Sequence, residues 1–83
     1  MNKEIFWSIK DILSNENKIY DADFRPESNL RSDLGLDSLD VVELLMELEK
    51  KYKIRIPDDE LERVVTVQDV VNLVEQFINN KYL

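Results

Sequence analysis

Apolar residues recur at helical spacing in three stretches of this chain, and their pattern predicts the main elements of the fold. Near the N-terminus, Ile5, Ile9, Ile12 and Leu13 fall on one face of a helix. Polar and charged residues fill most other positions of the segment, as expected for a helix with one buried side. We therefore predict an amphipathic helix over residues 3–14.

Two further long helices and a shorter one follow from the rest of the chain. Residues 38–52 contain neither glycine nor proline and are typical of a long helix. The letters TVQD from Thr66 form a capping pattern, a hydroxyl residue followed three positions later by an acid, and begin the last long helix. Pro57 suits the first turn of a short helix over residues 57–64, whose early acidic residues complement the positive end of its dipole.

A long loop joins the first two helices. Residues 15–36 mix Asn, Asp, Ser, Pro and Gly with isolated apolar side chains, which indicates a loop held to the core at several points. A short helical turn around residues 28–34 is compatible with this pattern. Loops of this length are uncommon in compact domains and are often functional. The apolar anchors of the loop are Ile19, Tyr20, Phe24, Leu30, Leu34 and Leu36.

Together these elements predict an all-α fold. We expect a small four-helix bundle with three longer helices, one short third helix and a long loop between helices one and two. The chain has 83 residues, a length that suits a single domain over positions 1–83 with a modest core. A deep and fully enclosed active site is therefore not expected.

The central helix carries more apolar residues than one buried face requires. At about 100° per residue, one set of side chains faces the core and a second set falls on roughly the opposite side. The second set, Leu39, Val42 and Met46, needs a cover, which could be another part of this chain or a second protein. The set that faces the core is Val41, Leu44, Leu45, Leu48 and Tyr52.

Acidic residues surround the second apolar set, and no basic residue lies among them. An acidic rim around an apolar centre is typical of a docking surface for basic proteins, although a run of charges is also common on a solvated face. The five acidic residues between positions 37 and 49 are Asp37, Asp40, Glu43, Glu47 and Glu49.

Composition narrows the chemistry that the chain can perform. It has no cysteine and no histidine, so it lacks thiolate nucleophiles, imidazole bases and the usual zinc ligands, and no metal site is expected. Its net charge of -7 disfavours nucleic acid and anionic membranes as partners. No stretch approaches the about 20 apolar residues that span a bilayer, and charges interrupt the apolar N-terminus. A cytoplasmic protein without membrane insertion is expected.

A single serine stands at the start of the central helix in an unusual setting. The letters DLGLDSLD, residues 33–40, contain the only glycine of the chain, Gly35, and place Ser38 between two aspartates. Ser38 could cap the helix by accepting a hydrogen bond from a free backbone N–H, but Asp37 can do so equally well. The Ser38 hydroxyl is then free, and a phosphate attached to it would lie at the positive end of the helix dipole. Without a histidine base or a glycine-rich oxyanion loop, Ser38 is a better target of chemistry than an agent of it.

The letters DLGLDSLDVVELLMELEKKYKIRIPDDE, residues 33–60, resemble the core of the acyl carrier proteins of fatty acid and polyketide synthesis. The resemblance covers almost the whole chain and includes the TVQD start of the last helix. Its most specific part is Gly35 followed by Asp37, Ser38 and Leu39 and then by an apolar and acidic helix. In that family, the serine of the D-S-L motif receives 4'-phosphopantetheine from coenzyme A and acyl groups are held on the attached thiol.

The resemblance also implies a role for each matching residue. Ser38 matches the attachment site, and Asp37 matches the acid that is presented to the transferase. The implied partners are a phosphopantetheinyl transferase and acyl-transfer or fatty acid and polyketide synthesis enzymes with basic docking patches, and the carrier itself would be a monomer and not an enzyme. The implied partner face is Leu39, Asp40, Val42, Glu43, Met46, Glu47 and Glu49. The implied acyl pocket, between helices two and three, is lined by Leu48, Ile56, Leu61 and Val64.

Three alternatives stay open at this point. A carrier of aminoacyl or peptidyl groups is the nearest, although the acidic central helix and Asp40 favour the acyl interpretation. An unmodified helical adaptor, in which Ser38 is only a cap, belongs to a different class. A small acidic hydrolase that uses Asp37 and Asp40 is the least favoured. The residues that point to a dedicated rather than a general carrier are Leu36, Lys50, Lys51, Lys53 and Arg55.

Overall fold

A computed structural model of the protein describes residues 2–16 and 21–81. In this part of the chain all regular structure is helical, apart from one isolated bridge between two residues. The three α-helices are α1 (Lys3–Asn15), α2 (Ser38–Tyr52) and α3 (Val67–Lys81), and the two 3-10 helices are η1 (Asp21–Asp23) and η2 (Asp58–Arg63). The predicted all-α architecture of three long helices and a short third one is therefore confirmed.

The structure specifies the form of two predicted details. The short third helix is a 3-10 helix, because its N–H groups donate three residues back, from Glu60 to the Pro57 carbonyl (3.1 Å), for example. Residues 30–34 are turns, and the i→i−4 hydrogen bonds from the Asp33 N–H to the Asn29 carbonyl (3.0 Å) and from the Gly35 N–H to the Arg31 carbonyl (3.0 Å) agree with the predicted helical turn. Asn29 organises these turns, since its side-chain oxygen accepts hydrogen bonds from the N–H groups of Arg31 and Ser32. The predicted anchors Ile19 and Tyr20 lie outside the described residues.

The core lies where the apolar faces of the α-helices meet, with α1 packed against both α2 and α3. The predicted core-facing residues of α2 are buried, except that Tyr52 at its C-terminal end is half-buried. Each fully buried aliphatic side chain contributes about 1.5–3 kcal/mol of transfer free energy, so this cluster dominates the stability of the fold. The fully buried side chains are Ile5, Ile9, Leu13, Leu30, Val41, Leu44, Leu48, Val67, Val70, Val71 and Val74.

A polar contact joins α1 to the C-terminal end of α2 inside this apolar setting. The hydroxyl oxygens of Ser8 and Tyr52 are 2.8 Å apart and form a hydrogen bond. Ser8 is buried, so its hydroxyl needs this partner. The contact explains why a serine is tolerated on the inner face of α1.

The start of α3 holds the long loop in place. The Leu30 N–H donates to the Val65 carbonyl (2.9 Å), and the Val67 N–H donates to the Ser28 carbonyl (3.0 Å). At the same point the Thr66 hydroxyl accepts from the Asp69 N–H and the Asp69 carboxylate accepts from the Thr66 N–H, which confirms the predicted capping pattern. The loop that leads to Ser38 is therefore fixed by backbone hydrogen bonds as well as by buried side chains.

Candidate functional site

A glycine in a left-handed conformation directs the chain into α2. Gly35 has a φ of 71°, which side-chain-bearing residues rarely adopt. The leucines on either side of it, Leu34 and Leu36, are both buried and hold the segment against the core. No atom lies within 4 Å of the position where a Cβ would stand on Gly35, so the need for glycine is conformational and not steric. The turn brings the next residues to the N-terminus of α2.

Asp37 caps α2 through a reciprocal pair of hydrogen bonds. Its carboxylate accepts from the Asp40 N–H (2.9 Å), and the Asp40 carboxylate accepts from the Asp37 N–H (3.1 Å). This arrangement is a capping box built from two aspartates. The aspartates one position before and two positions after Ser38 are therefore both engaged in fixing the helix terminus.

The Ser38 side chain takes no part in this capping. Ser38 is exposed, and its hydroxyl has no hydrogen-bond partner among the residues that the structure describes. It is the first residue of α2, where the backbone N–H groups of Ser38 and Leu39 have no acceptor in the described part of the chain. A phosphate joined to this hydroxyl would meet unpaired N–H groups and the positive end of the helix dipole.

Beyond Ser38, the outer face of α2 exposes the second apolar set. Leu39 is 63% exposed and Met46 is 50% exposed, while Val42 between them is half-buried. The described part of the chain leaves half or more of the Leu39 and Met46 side chains exposed, so it does not fully cover the second apolar set. The acidic residues Glu43 and Glu47 are exposed beside this strip. The structure thus brings most of the predicted partner face together on one surface.

Glu49 differs from the other acidic residues of this face. It is half-buried, and its carboxylate accepts a hydrogen bond from the Ile56 N–H (2.8 Å). It therefore joins α2 to the segment that leads into η2. Apolar spacing does not indicate this contact, because the two residues are seven positions apart across the end of a helix. Glu49 has a structural role whether or not it also meets a partner.

A cavity of about 240 Å³ lies between α2 and η2, next to the exposed strip. Of the residues predicted to shelter an acyl chain, Ile56 and Leu61 line this cavity. Leu48 is fully buried in the core and is not part of the lining, and Val64 borders a separate depression on the other side of Leu61. The other lining residues, none of which was predicted for this role, are Val42, Leu45, Met46, Glu49, Pro57 and Asp58.

Comparison with known proteins assigns this arrangement to a class of carriers. Residues 7–74 match the family model described as the phosphopantetheine attachment site. The acyl carrier protein of Wolinella succinogenes is 46% identical over 71 residues, which are 86% of this chain and 93% of that protein. The acyl carrier protein of Picosynechococcus is 45% identical over 76 residues, or 92% of this chain and 94% of that protein.

The fold shows the same relationship. A crystal structure of an acyl carrier protein from Thermotoga maritima superposes with a TM-score of 0.85 at 26% identity, and the match covers 94% of this chain and 91% of that one. The chain belongs to the acyl carrier protein family, whose members bear a covalently attached 4'-phosphopantetheine and are carriers, not catalysts. Members of the family interact with phosphopantetheinyl transferases and with synthesis enzymes.

The described residues suit such a group. Ser38 offers an exposed hydroxyl that no neighbour engages, and the adjoining N–H groups of α2 can receive the phosphate oxygens. When attached, the group supplies the thiol on which an acyl chain is held, a function for which this chain has no cysteine of its own. None of the helices in the described residues is long and apolar enough to cross a bilayer.

Proposed function

We propose that the chain carries acyl intermediates as thioesters on a 4'-phosphopantetheine group attached to Ser38. The observation that carries this proposal is the free Ser38 hydroxyl at the N-terminus of α2, within the segment that matches the attachment-site family. Capping by Asp37 and Asp40 keeps the helix terminus intact without using the serine. The hydroxyl is thus available for a new bond at no cost to the fold.

The attachment chemistry has to be done by a partner. The Ser38 oxygen forms a bond to the phosphorus of coenzyme A that carries the pantetheine, the bond from that phosphorus to the adenosine bisphosphate breaks, and the serine proton leaves to a base. The chain has no histidine, and the nearby carboxylates of Asp37 and Asp40 accept backbone hydrogen bonds. The base therefore belongs to the phosphopantetheinyl transferase.

Partner enzymes would meet the exposed strip of α2. Leu39, Val42 and Met46 form its apolar centre, and Asp37, Asp40, Glu43 and Glu47 form its acidic rim. Rim charges raise the rate of encounter with basic docking patches, while the apolar centre provides contact area once the two surfaces meet. Glu49 contributes mainly by holding the neighbouring segment in position.

The cavity between α2 and η2 is the proposed shelter for the tail of an acyl chain. Ile56 and Leu61 are apolar residues of its lining. Leu48 is buried in the core and Val64 borders a different depression, so neither lines this cavity. An acyl tail gains about 0.8 kcal/mol for each CH₂ group that it buries there. A small cavity of this kind favours acyl groups over polar aminoacyl groups.

The acyl groups would be intermediates of fatty acid synthesis or of a related polyketide-like or specialised lipid pathway. The names of the relatives and the acidic rim of α2 support acyl over aminoacyl or peptidyl cargo. We also propose that the chain acts as a single monomeric domain over residues 1–83 in the cytoplasm, where coenzyme A and the synthesis enzymes are available to it.

Loading with two kinds of donor tests this function. Protein that bears the group is incubated separately with an acyl-activating enzyme and fatty acids, and with amino-acid-activating enzymes and amino acids, and thioester formation is followed by intact mass. Acyl loading of the wild type and none of Ser38→Ala is expected. Loading by amino acids alone would favour the aminoacyl carrier, and loading of Ser38→Ala would refute the proposed site.

A further inference from the structure

The C-terminal end of α2 carries positive charge on the same side of the helix as the exposed apolar strip. Lys50, Lys53 and Arg55 are all exposed. Lys50 lies 3.7 Å from the Glu47 carboxylate in a solvent-exposed ion pair, which contributes little to stability. Lys53 and Arg55 have no ion-pair partner among the described residues, although the chain has seven more acidic than basic residues. These two cations are therefore available to an external group.

Met46 connects this basic end to the acidic part of the face. An open depression of about 460 Å³ is bordered by Met46, Ile54 and the three basic residues together with Glu49. On its other side Met46 borders a depression of about 330 Å³ with Glu43, Glu47 and Ile12 of α1, and Lys50 borders both depressions. The exposed methionine thus lies at the boundary between an acidic and a basic surface, and the two surfaces form one continuous strip along α2.

We propose that this strip is a bipolar docking surface for another protein. The partner presents basic residues to the Ser38 end of α2 and an apolar group to Met46. It presents acidic residues to the basic end, which is formed by Lys50, Lys53 and Arg55. The inference rests on the docking face proposed above and extends it to the other end of the helix. A partner whose docking patch is basic throughout would place like charges against the basic end. Such a partner is disfavoured, so the basic end selects among possible partners.

Charge and size decide what kind of occupant fits this strip. A nucleic acid or an anionic membrane would be attracted by the basic end but repelled by the acidic end and by the net charge of -7. A second copy of the chain would bring the same net charge with it. The exposed face of α2 is about 22 Å long, so its contact area is in the range of transient encounters. The surface therefore suits a brief and oriented contact with another protein.

Two synthetic helical peptides of identical composition provide a direct test. In the block peptide a Lys/Arg half and an Asp/Glu half flank a central leucine, and in the alternating peptide the same charges are interspersed. Each is titrated into the ¹⁵N-labelled protein at about 0.01 M salt, where the Debye length of about 30 Å leaves charges little screened. We expect the block peptide to bind about threefold more tightly or better, and to shift the amides of both Leu39 and Lys53.

Matched charge reversals distinguish the effect of charges on this strip from the effect of net charge on peptide binding. The Lys53→Glu/Arg55→Glu variant should lose the preference for the block peptide, while Lys51→Glu/Lys3→Glu, with the same change in net charge away from the strip, should keep it. Equal affinities for the two peptides, or a preference that survives Lys53→Glu/Arg55→Glu, would overturn the inference. So would shifts that appear on changing the protein concentration alone, since they indicate a second copy.

The same titration distinguishes this inference from the function on which it rests. If the amides near Leu39 respond to the peptides but those near Lys53 do not, the acidic docking face stands and the bipolar extension fails. If neither peptide affects α2, both the extension and the docking face are overturned. The attachment of phosphopantetheine to Ser38 is measured by mass and does not depend on either result.

Discussion

Asp37 and Ser38 are adjacent, but only Asp37 takes part in capping α2. The Asp37 carboxylate holds the N-terminus of α2, and the Ser38 hydroxyl makes no contact within the described residues. A residue that contributes nothing to the fold can be modified without penalty. This separation is the basis for treating Ser38 as an attachment point rather than a helix cap.

Substitution of each residue by alanine should therefore have different effects on stability. We expect Asp37→Ala to lower the free energy of unfolding by about 1 kcal/mol, because α2 loses its cap. Ser38→Ala should change it by less than about 0.5 kcal/mol. Urea unfolding followed by circular dichroism measures both values. A larger loss for Ser38→Ala than for Asp37→Ala would show that the serine is the cap.

Gly35 offers a second test at the level of one residue. Its φ of 71° is strained for a residue with a Cβ, so Gly35→Ala should reduce stability by about 1–2 kcal/mol. Gly35→Asn should cost less, because asparagine adopts the left-handed region more readily. Since a Cβ would meet no neighbour, equal losses for the two variants would mean that conformation is not the reason for glycine.

The serine, the glycine and the acidic residues could be predicted from the sequence, but the role of each in capping α2 could not. Either Asp37 or Ser38 could have been the cap, and only the position of the carboxylate resolves the choice. The structural role of Glu49 could not be predicted from the sequence either. Its contact with the Ile56 N–H depends on how the chain turns after Lys53, whose left-handed conformation ends α2.

At the scale of elements, the contacts that hold α2 in place are polar at both of its ends. The capping box fixes the N-terminus. Near the C-terminus, Tyr52 forms a hydrogen bond with Ser8 of α1, and Glu49 accepts a hydrogen bond from the segment before η2. The helix is therefore positioned along its whole length. The proposed docking face therefore lies on a helix that is held at both ends.

The Glu49 contact predicts a local effect on the segment before η2. Glu49→Ala removes the acceptor of the buried Ile56 N–H, so that amide should exchange with solvent faster and stability should fall by about 1–3 kcal/mol. Glu49→Gln keeps an acceptor oxygen and should largely preserve the protection. Hydrogen exchange monitored by NMR at the Ile56 amide decides the matter. Unchanged exchange in Glu49→Ala would show that the hydrogen bond is not formed in solution.

The hydrogen bond between Ser8 and Tyr52 can be examined with a double-mutant cycle. Tyr52→Phe should cost about 0.5–1.5 kcal/mol, since the buried Ser8 hydroxyl loses its partner. In the Ser8→Ala background the same change should cost less, because no hydroxyl is left unpaired. Thermal and urea unfolding of the four proteins give the coupling energy. A coupling near zero would contradict the contact.

Periodicity predicted the elements well because the helices are amphipathic and end at clear signals. Residues 38–52 form a helix with the predicted bounds, and the Thr66 cap is present. The prediction was weaker where polar groups of the loop set the geometry. The turns around Asn29 and the 3-10 form of η2 depend on individual hydrogen bonds that apolar spacing does not report.

At the scale of the whole molecule, the acidic charge is distributed unevenly. The N-terminal part of α2 and η2 are acidic, while the end of α2 and the residues after it are basic. A net charge of -7 would accelerate encounters with any basic partner, and the local pattern would orient such a partner. On the proposed function, partner choice depends on the surface pattern more than on the total charge.

Association with a phosphopantetheinyl transferase should slow as salt is added. The Debye length falls from about 10 Å at 0.1 M to about 3 Å at 1 M, so steering by the acidic rim weakens. The association rate of Glu43→Gln/Glu47→Gln should depend less on salt than the wild-type rate does. The control variant Glu60→Gln/Glu62→Gln, on η2, should keep more of the wild-type salt dependence. Stopped-flow fluorescence gives the rates. A rate that does not change with salt in the wild type would remove the electrostatic part of the account.

Intact mass measures the attachment of the prosthetic group to Ser38. The wild type, Ser38→Ala and Ser32→Ala, which removes another exposed serine of the same region, are incubated with coenzyme A, magnesium and a broad-specificity phosphopantetheinyl transferase. We expect the wild type and Ser32→Ala each to gain the mass of one phosphopantetheine and Ser38→Ala to gain none. A gain by Ser38→Ala, or no gain by folded wild type that is not already modified, would contradict it.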